Sequence, residues 1–263
     1  SKKVNEAAIA EGRCTVLQGS VADMIFAGDW FDAVTAFETV YFWPDLPQCF
    51  REVYRVLKPG GTLLICNESN GDTDKDEKWT EIIGEANLCR KQCDALEPLT
   101  TDYMELEGER LEILRCMGDL MWNTIVWIPS IKTVVCSDVV FNDAHPFTCE
   151  VNEEQRKLWI KDIEGIYDLK PEVVIPGHMR EGTPLDESGL KFTKDYLIAT
   201  EEELAATTTP GEFYYHMAKR FPTATLNILS NEMNAEVFKG GRDWAWNEDP
   251  DPEWQKFRTA WKE

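Results

Sequence analysis

The sequence predicts an α/β protein, and three observations support this fold class. Strand-like and helix-like stretches alternate over the first third of the chain. Short apolar runs and one long amphipathic helical pattern follow between residues 100 and 178. The chain has 263 residues, of which 43% are hydrophobic and 29% charged, which is the composition of a folded protein. We therefore expect helices that cover one or more sheets.

The charge of the chain limits its partners. Lys and Arg total 27 against 48 Asp and Glu, for a formal net charge of -21. Such a chain repels phosphate backbones and anionic membranes. No apolar run approaches the roughly 18 residues that span a bilayer, and residues 1–6 are unlike a signal peptide. Its eight cysteines include no C-x-x-C pair. We expect a cytoplasmic protein with reduced cysteines and without nucleic-acid or membrane partners.

The first third has the pattern of parallel βαβ order. The spacing predicts the end of a helix over residues 1–11, which Gly12 terminates. Three strands follow at residues 14–18, 31–37 and 62–66, with a helix over residues 46–57 between the last two. Strands that alternate with a helix favour a parallel sheet.

One passage of this region is typical of a known family. Residues 54–65 end a helix at Pro59-Gly60-Gly61 and turn sharply into a strand. This passage resembles the class I, Rossmann-like S-adenosylmethionine-dependent methyltransferases. Residues 18–22 and 30–34 resemble a strand, the adenine-side loop and the next strand of that family, in the same order. The resemblance covers residues 1–84 and implies the carboxyl-terminal portion of a methyltransferase-like sheet.

The resemblance also implies where a cofactor would bind, because ligands of open α/β sheets lie at the carboxyl ends of the strands. Ser20 and Val21 would flank the adenine, and Phe37 and Glu38 would lie near the methyl donor. The family's glycine-rich loop and ribose-binding acid belong upstream of Ser1, and no other G-x-G stretch replaces them. We therefore do not expect S-adenosylmethionine to bind.

The remainder begins with a surface segment and continues as a second α/β region. Residues 68–78 are polar and predict a loop, and residues 79–96 predict a helix. Further elements are predicted as follows: a hairpin of residues 103–106 and 111–114, strands at 124–129, 133–136 and 171–178, and a helix over 152–166. We place a boundary between residues 84 and 85. The pattern is compatible with two domains, 1–84 and 85–263, or with one hybrid domain.

Two passages of this second region resemble the metallo-β-lactamase superfamily. They are residues 124–138, which end in Asp138, and residues 173–178, which end in His178. The resemblance implies the carboxyl-terminal half of an αββα fold. In that family the aspartate bridges two metal ions and the histidine binds the second. Carboxylate and imidazole groups suit zinc or iron, and two close metal ions activate water.

The other ligands that this family needs are not found in the sequence. Its His-x-His-x-Asp-His cluster precedes the aspartate, whereas the histidines here are His145, His178 and His216. Near the family's third histidine the chain has Cys116, whose thiolate would bind zinc, and then Asp119. Candidate metal ligands are therefore Asp138, His178, Cys116 and His145. His145 is otherwise a loop residue, and His216 a residue of a helix.

Three functions compete on these grounds. We favour a recombined protein without a complete active site that keeps a residual metal site, because the losses remove groups that contact metal or cofactor directly. The alternatives are a metal-dependent hydrolase and an S-adenosylmethionine-dependent methyltransferase, with an unknown small-molecule substrate in either case. Partial modules expose sheet edges and apolar faces, so a homodimer is also expected.

Overall fold

A computed structural model describes residues 5–37, 39–66, 101–106, 108–120, 123–242 and 259–261. The chain divides into two compact units, Ser1–Pro98 and Leu99–Glu263. We call these the amino-terminal and the carboxyl-terminal unit. The predicted loop at 68–78, the predicted helix at 79–96 and the boundary at residue 84 lie outside the described residues. No helix within the described ranges combines the length and apolarity needed to cross a membrane.

The amino-terminal unit contains the predicted βαβ arrangement. Its elements are α1 (Glu6–Ala10), β1 (Phe31–Phe37), α2 (Leu46–Val56) and β2 (Leu57–Cys66). The strands β1 and β2 pair in parallel, which confirms the predicted order. Helix α2 begins where the Asp45 side chain accepts a hydrogen bond from the Gln48 amide at 2.9 Å. Phe50 of this helix is fully buried beside Ala36 and Val40.

The predicted strand at Cys14–Gln18 is wrong, because the structure shows an irregular segment there. A strand needs the ladder hydrogen bonds of a neighbour. Strands β1 and β2 pair with each other in this unit, and no described strand of the unit pairs with residues 14–18. The nearest pairing is an isolated bridge between Ser20 and Asp23. Leu17, which an inner strand would bury, is 52% exposed.

The predicted helix end at Pro59-Gly60-Gly61 is wrong: the helix ends earlier, at Val56, and these three residues lie in a bulge inside strand β2. Phe31 of β1 faces Leu57, whereas Ala33 faces Thr62, so the backbone between these pairs bulges out of register. Gly60 has a φ of +79°, a conformation that glycine adopts at little cost. The predicted strand at 62–66 is therefore confirmed and starts earlier, at Leu57.

The carboxyl-terminal unit is built on a five-stranded sheet in the order β3-β4-β5-β6-β8. The pairs β3·β4, β4·β5 and β5·β6 are antiparallel, and β6·β8 is parallel. A separate parallel pair joins β7 to β9. The strands are β3 (Tyr103–Leu106), β4 (Glu109–Cys116), β5 (Asn123–Ile128), β6 (Thr133–Val135), β7 (Phe141–Asn142), β8 (Val173–Ile175) and β9 (His178–Met179). The predicted hairpin and strands are thus present.

Among the described residues, four α-helices accompany this sheet: α3 (Glu153–Asp168), α4 (Ser188–Ala206), α5 (Pro210–Arg220) and α6 (Glu232–Lys239). The predicted helix at 152–166 is confirmed as α3, and a capping box between Asn152 and Gln155 fixes its start. Trp159 of α3 and Leu190 of α4 are fully buried in one apolar cluster with Ile125 and Val134 of the sheet. The fold class predicted from the sequence is confirmed as α/β.

Candidate metal centre

The fold brings Asp138 and His178 together just beyond the carboxyl ends of β6 and β8, a place that we call the corner. Strands β6 and β8 are parallel neighbours, so their carboxyl ends lie at one edge of the sheet. Asp138 lies in a single 3-10 turn just after β6, and His178 follows the Pro176-Gly177 turn after β8. The Gly177 amide donates to the carbonyls of Ser137 at 2.8 Å and Val140 at 3.0 Å, which ties the two loops together.

The two side chains meet directly at this corner. His178 Nε2 lies 3.3 Å from Asp138 Oδ1; the carboxylate is buried and the imidazole is partly exposed. The Phe141 ring lies 5.2 Å from the imidazole, centroid to centroid. Burial lowers the pKa of His178 from its ordinary value. A neutral imidazole beside a carboxylate is the protonation state that metal binding requires.

Two glycines leave the room that this arrangement needs. A Cβ on Gly177 would lie 2.2 Å from Asp138 Oδ1 and 2.6 Å from the Ser137 carbonyl oxygen. A Cβ on Gly118 would lie 2.8 Å from the Asp138 carbonyl oxygen. All three distances are far shorter than van der Waals contact, so neither position accepts a side chain without movement of the backbone. Asp138 is therefore enclosed by backbone on two sides.

The turn after β4 also contacts Asp138, through its backbone. Cys116, whose thiol is buried, ends β4, and the Asp119 amide donates to the Asp138 carbonyl at 3.4 Å. The Asp119 side chain is directed to Asn123, whose Nδ2 lies 3.3 Å from Asp119 Oδ1. Asn123 is 1% exposed and its Oδ1 has no hydrogen-bond partner among the described residues. Asn123 is not among the predicted site residues. Its position as a polar residue at the start of an apolar strand is the sequence feature that could have identified it.

The other two histidines pair with residues of helix α4. His145 is fully buried in the loop after β7, and its Nδ1 lies 2.8 Å from the Tyr196 hydroxyl. Burial lowers the pKa of His145 to about 4. His216, on α5 as predicted, places Nδ1 2.7 Å from Glu203. The ligand role assigned to His145 stays a prediction, and its visible contact is with Tyr196.

The cofactor-binding residues predicted in the amino-terminal unit are placed as follows. Ser20 is exposed, and its hydroxyl accepts a hydrogen bond from the Ala22 amide at 3.2 Å. Val21 is half-buried beside it. Phe37 is the last residue of β1, which is where ligands of open α/β sheets approach the strands. Glu38 lies outside the described residues. Their roles stay predictions.

The structure brings together part of the predicted metal-ligand set at this corner. Within the described ranges, no group of three or more His, Cys, Asp or Glu side chains is arranged to hold a metal. Asp138 and His178 are the predicted ligands that come together, and Cys116 and His145 do not join them in such a group. Two protein ligands leave the other coordination positions to water, and a site with so few protein ligands binds weakly.

Residues 1–65 match the model of a family described as a methyltransferase domain. Cycloartenol-C-24-methyltransferase 1 of Oryza sativa is 41% identical over 64 residues, which are 24% of this chain and 19% of that protein. The uncharacterized protein YafE of Escherichia coli is 30% identical over 114 residues, 35% of this chain and 52% of that protein. The chain thus spans about a fifth to a half of these two relatives. The methyltransferase resemblance is confirmed for residues 1–65.

Solved structures of metallo-β-lactamases share a weak likeness with this chain. The DIM-1 metallo-β-lactamase is 19% identical, with 64% of this chain and 83% of that chain covered and a TM-score of 0.41. A metallo-β-lactamase family protein from Thermus thermophilus is 18% identical, with 62% and 60% covered and a TM-score of 0.40. A likeness at this level carries no argument about the activity of this chain.

Proposed function

We propose that this chain keeps a residual site for one divalent metal ion at Asp138 and His178 and has no complete two-metal hydrolytic centre. The observation that carries this proposal is the distance of 3.3 Å between His178 Nε2 and Asp138 Oδ1. A buried carboxylate and a neutral imidazole at the ends of parallel strands form a suitable pair of ligands for zinc or iron. A bound ion would supply Lewis acidity to a water molecule.

The residues around the pair would act by orientation. The Gly177 backbone lies so close to Asp138 Oδ1 that a side chain at position 177 would collide with it. This close contact limits rotation of the Asp138 carboxylate beside His178. The Phe141 ring restricts rotation of the imidazole. Rigid ligands lose little entropy on binding, which raises the affinity of a site that has only two of them. We expect micromolar rather than nanomolar zinc binding.

Zinc titration by isothermal calorimetry tests this proposal. Asp138→Ala and His178→Ala should each abolish binding of about one equivalent of zinc, because each removes half of the protein ligands. The matched control is His216→Ala. His216 also lies beside a carboxylate, that of Glu203, and its side chain is 43% exposed, as is that of His178. Retained zinc binding in the Asp138 and His178 variants, or loss in the His216 variant, would overturn the assignment.

A second candidate is S-adenosylmethionine binding by the amino-terminal unit, and one observation favours it: residues 1–65 match the methyltransferase model. The candidate contacts are Ser20, Val21, Phe37 and Glu38. Calorimetry with S-adenosylmethionine tests it on the same protein sample. Binding that Val21→Arg abolishes would support a cofactor site, since a bulky cation would fill the adenine position. No binding would leave the metal site as the function to pursue. The homodimer and the cytoplasmic location stay predictions.

A further inference from the structure

A short carboxyl-terminal segment, Thr259–Trp261, closes the open edge of β4. Strand β3 pairs with β4 only as far as Glu112, and the Ile113 amide reaches back to the Asp102 carbonyl. Beyond Glu112, Thr259 replaces β3 as the hydrogen-bonding partner of β4. Its amide donates to the Arg115 carbonyl at 2.9 Å, and its hydroxyl accepts from the Arg115 amide at 2.8 Å. The segment thus satisfies backbone groups that would otherwise form an exposed sheet edge.

The last described residue of this segment, Trp261, packs against helix α3. The Trp261 ring lies over Gly165, where a Cβ would come within 2.0 Å of the indole. Gly165 lies within a helix, where glycine costs about 1 kcal/mol relative to alanine, so the close approach of the indole is its structural reason. Trp261 also packs against the apolar cluster that contains Trp159 and Ile163.

Asp162 links Trp261 to the turn beside the candidate metal centre. Its carboxylate is fully buried, and Oδ1 accepts a hydrogen bond from Trp261 Nε1 at 2.7 Å. The other oxygen, Oδ2, accepts from the Met117 amide at 2.7 Å. Both distances are typical of well-formed hydrogen bonds to a buried acceptor. One carboxylate therefore holds both the carboxyl-terminal segment and the first residue of the turn after β4.

That turn leads directly to Asp138. Met117 is followed by Gly118, whose Cα faces the Asp138 carbonyl, and by Asp119, whose amide donates to the same carbonyl at 3.4 Å. Movement of Met117 would therefore displace the backbone that encloses Asp138. We propose that Asp162 and Trp261 are positioning residues, which fix the turn of residues 117–119 against Asp138 through one shared carboxylate. The expected effect on metal affinity rests on the proposed function, whereas the expected effect on the turn of residues 117–119 does not.

Amide hydrogen exchange of the full chain tests the positioning role without any metal. Trp261→Phe keeps an aromatic ring over Gly165 and removes the indole N–H, and Asp162→Asn replaces one of the two acceptor oxygens with an amide nitrogen. Each variant should speed exchange of the Met117 and Asp119 amides about tenfold, because the side chain at position 162 is no longer held by both hydrogen bonds. Amides in the middle of α4 should exchange as in the parent protein.

Ile163→Val is the matched control, since it removes one methylene group from the same buried face of α3 and leaves both Asp162 hydrogen bonds in place. If it speeds exchange at Met117 as much as Trp261→Phe does, the positioning role is wrong. Zinc titration of the same variants separates the two proposals. Faster exchange with no zinc binding in the parent would overturn the metal site and keep the positioning role. Zinc affinity and exchange that both match the control would overturn the positioning role alone.

Discussion

The two units differ in how much apolar surface their described residues bury. In the amino-terminal unit one small cluster forms around Phe50, Ala36 and Val40, while Trp30 is 59% exposed. In the carboxyl-terminal unit a large cluster joins the sheet to α3 and α4, and a second cluster joins α4 to α5 and α6. Periodicity and turn residues are therefore enough to form a βαβ unit with a small core. A site with fixed geometry needs a larger core that encloses it.

One glycine from each unit provides a contrast between an open position and a closely packed one. A Cβ placed on Gly19 of the amino-terminal unit would meet nothing within 4 Å, whereas one on Gly177 of the carboxyl-terminal unit would meet Asp138 and Ser137 at 2.2 and 2.6 Å. The chemistry is unequal as well, since all three histidines of the sequence lie in the carboxyl-terminal unit. Three predictions test this contrast.

The largest effect is expected from Gly177→Ala. The new methyl group would collide with Asp138 and with the Ser137 backbone, so we expect a loss of about 3 kcal/mol or more in the free energy of unfolding. Urea denaturation measures it. Gly19→Ala in the amino-terminal unit and Gly211→Ala at the start of α5 are the controls. Both positions are open, so their effects should stay within about 0.5 kcal/mol. Equal stability of Gly177→Ala and the parent would show that the corner is loosely packed.

A smaller effect is expected from pH, through His145. Its pKa is about 4 in the folded chain and 6.5 as an ordinary value, so between these values the unfolded state binds more protons than the folded state. Stability therefore rises with pH across this window and is lost as pH falls from 6.5 toward 4. At pH 4.5 the loss is about 2.5 kcal/mol relative to neutral pH.

His145→Gln removes this titration and leaves the carboxylates and His178 in place. Urea denaturation at pH 7 and pH 4.5 should thus show a smaller pH-dependent loss in the variant than in the parent protein. The amino-terminal unit contains no histidine. Spectroscopic signals from its strands should therefore show the same pH dependence in both proteins. An identical pH dependence of the carboxyl-terminal unit in both proteins would mean that His145 is not held neutral by burial.

The smallest effects are expected at two helix starts, one in each unit. Asn152→Ala removes a capping box on α3, and Asp45→Ala removes a single cap on α2. We expect losses of about 1.5 kcal/mol for Asn152 and about 1 kcal/mol for Asp45, because loss of the Asn152 side chain also loosens the helix turn that lets Gln155 accept from the backbone amide of residue 152. Urea denaturation of the two variants measures the difference. A larger loss for Asp45 would indicate that the amino-terminal unit depends more on its helix start than its small core suggests.

The secondary structure was largely predictable from the sequence. The βαβ order, the hairpin at 103–114 and the helix that starts after Asn152 follow from periodicity, turn residues and capping residues, which act over a few neighbouring positions. The strand expected at residues 14–18 was wrong for a related reason, since apolar periodicity identifies a residue pattern but does not supply a partner strand. The pairing of Asp138 with His178 was expected only through a family resemblance.

The acidic charge, the α/β elements, the methyltransferase resemblance of the amino-terminal residues and the candidate ligands Asp138 and His178 can be inferred from the sequence alone. Three contacts become visible only in the folded chain: Asp138 with His178, His145 with Tyr196, and Asp162 with both Met117 and Trp261. The physical reason is sequence distance. Asp162 and Trp261 are 99 positions apart, and contacts over such a separation depend on how complete sheets and helices pack rather than on any local pattern.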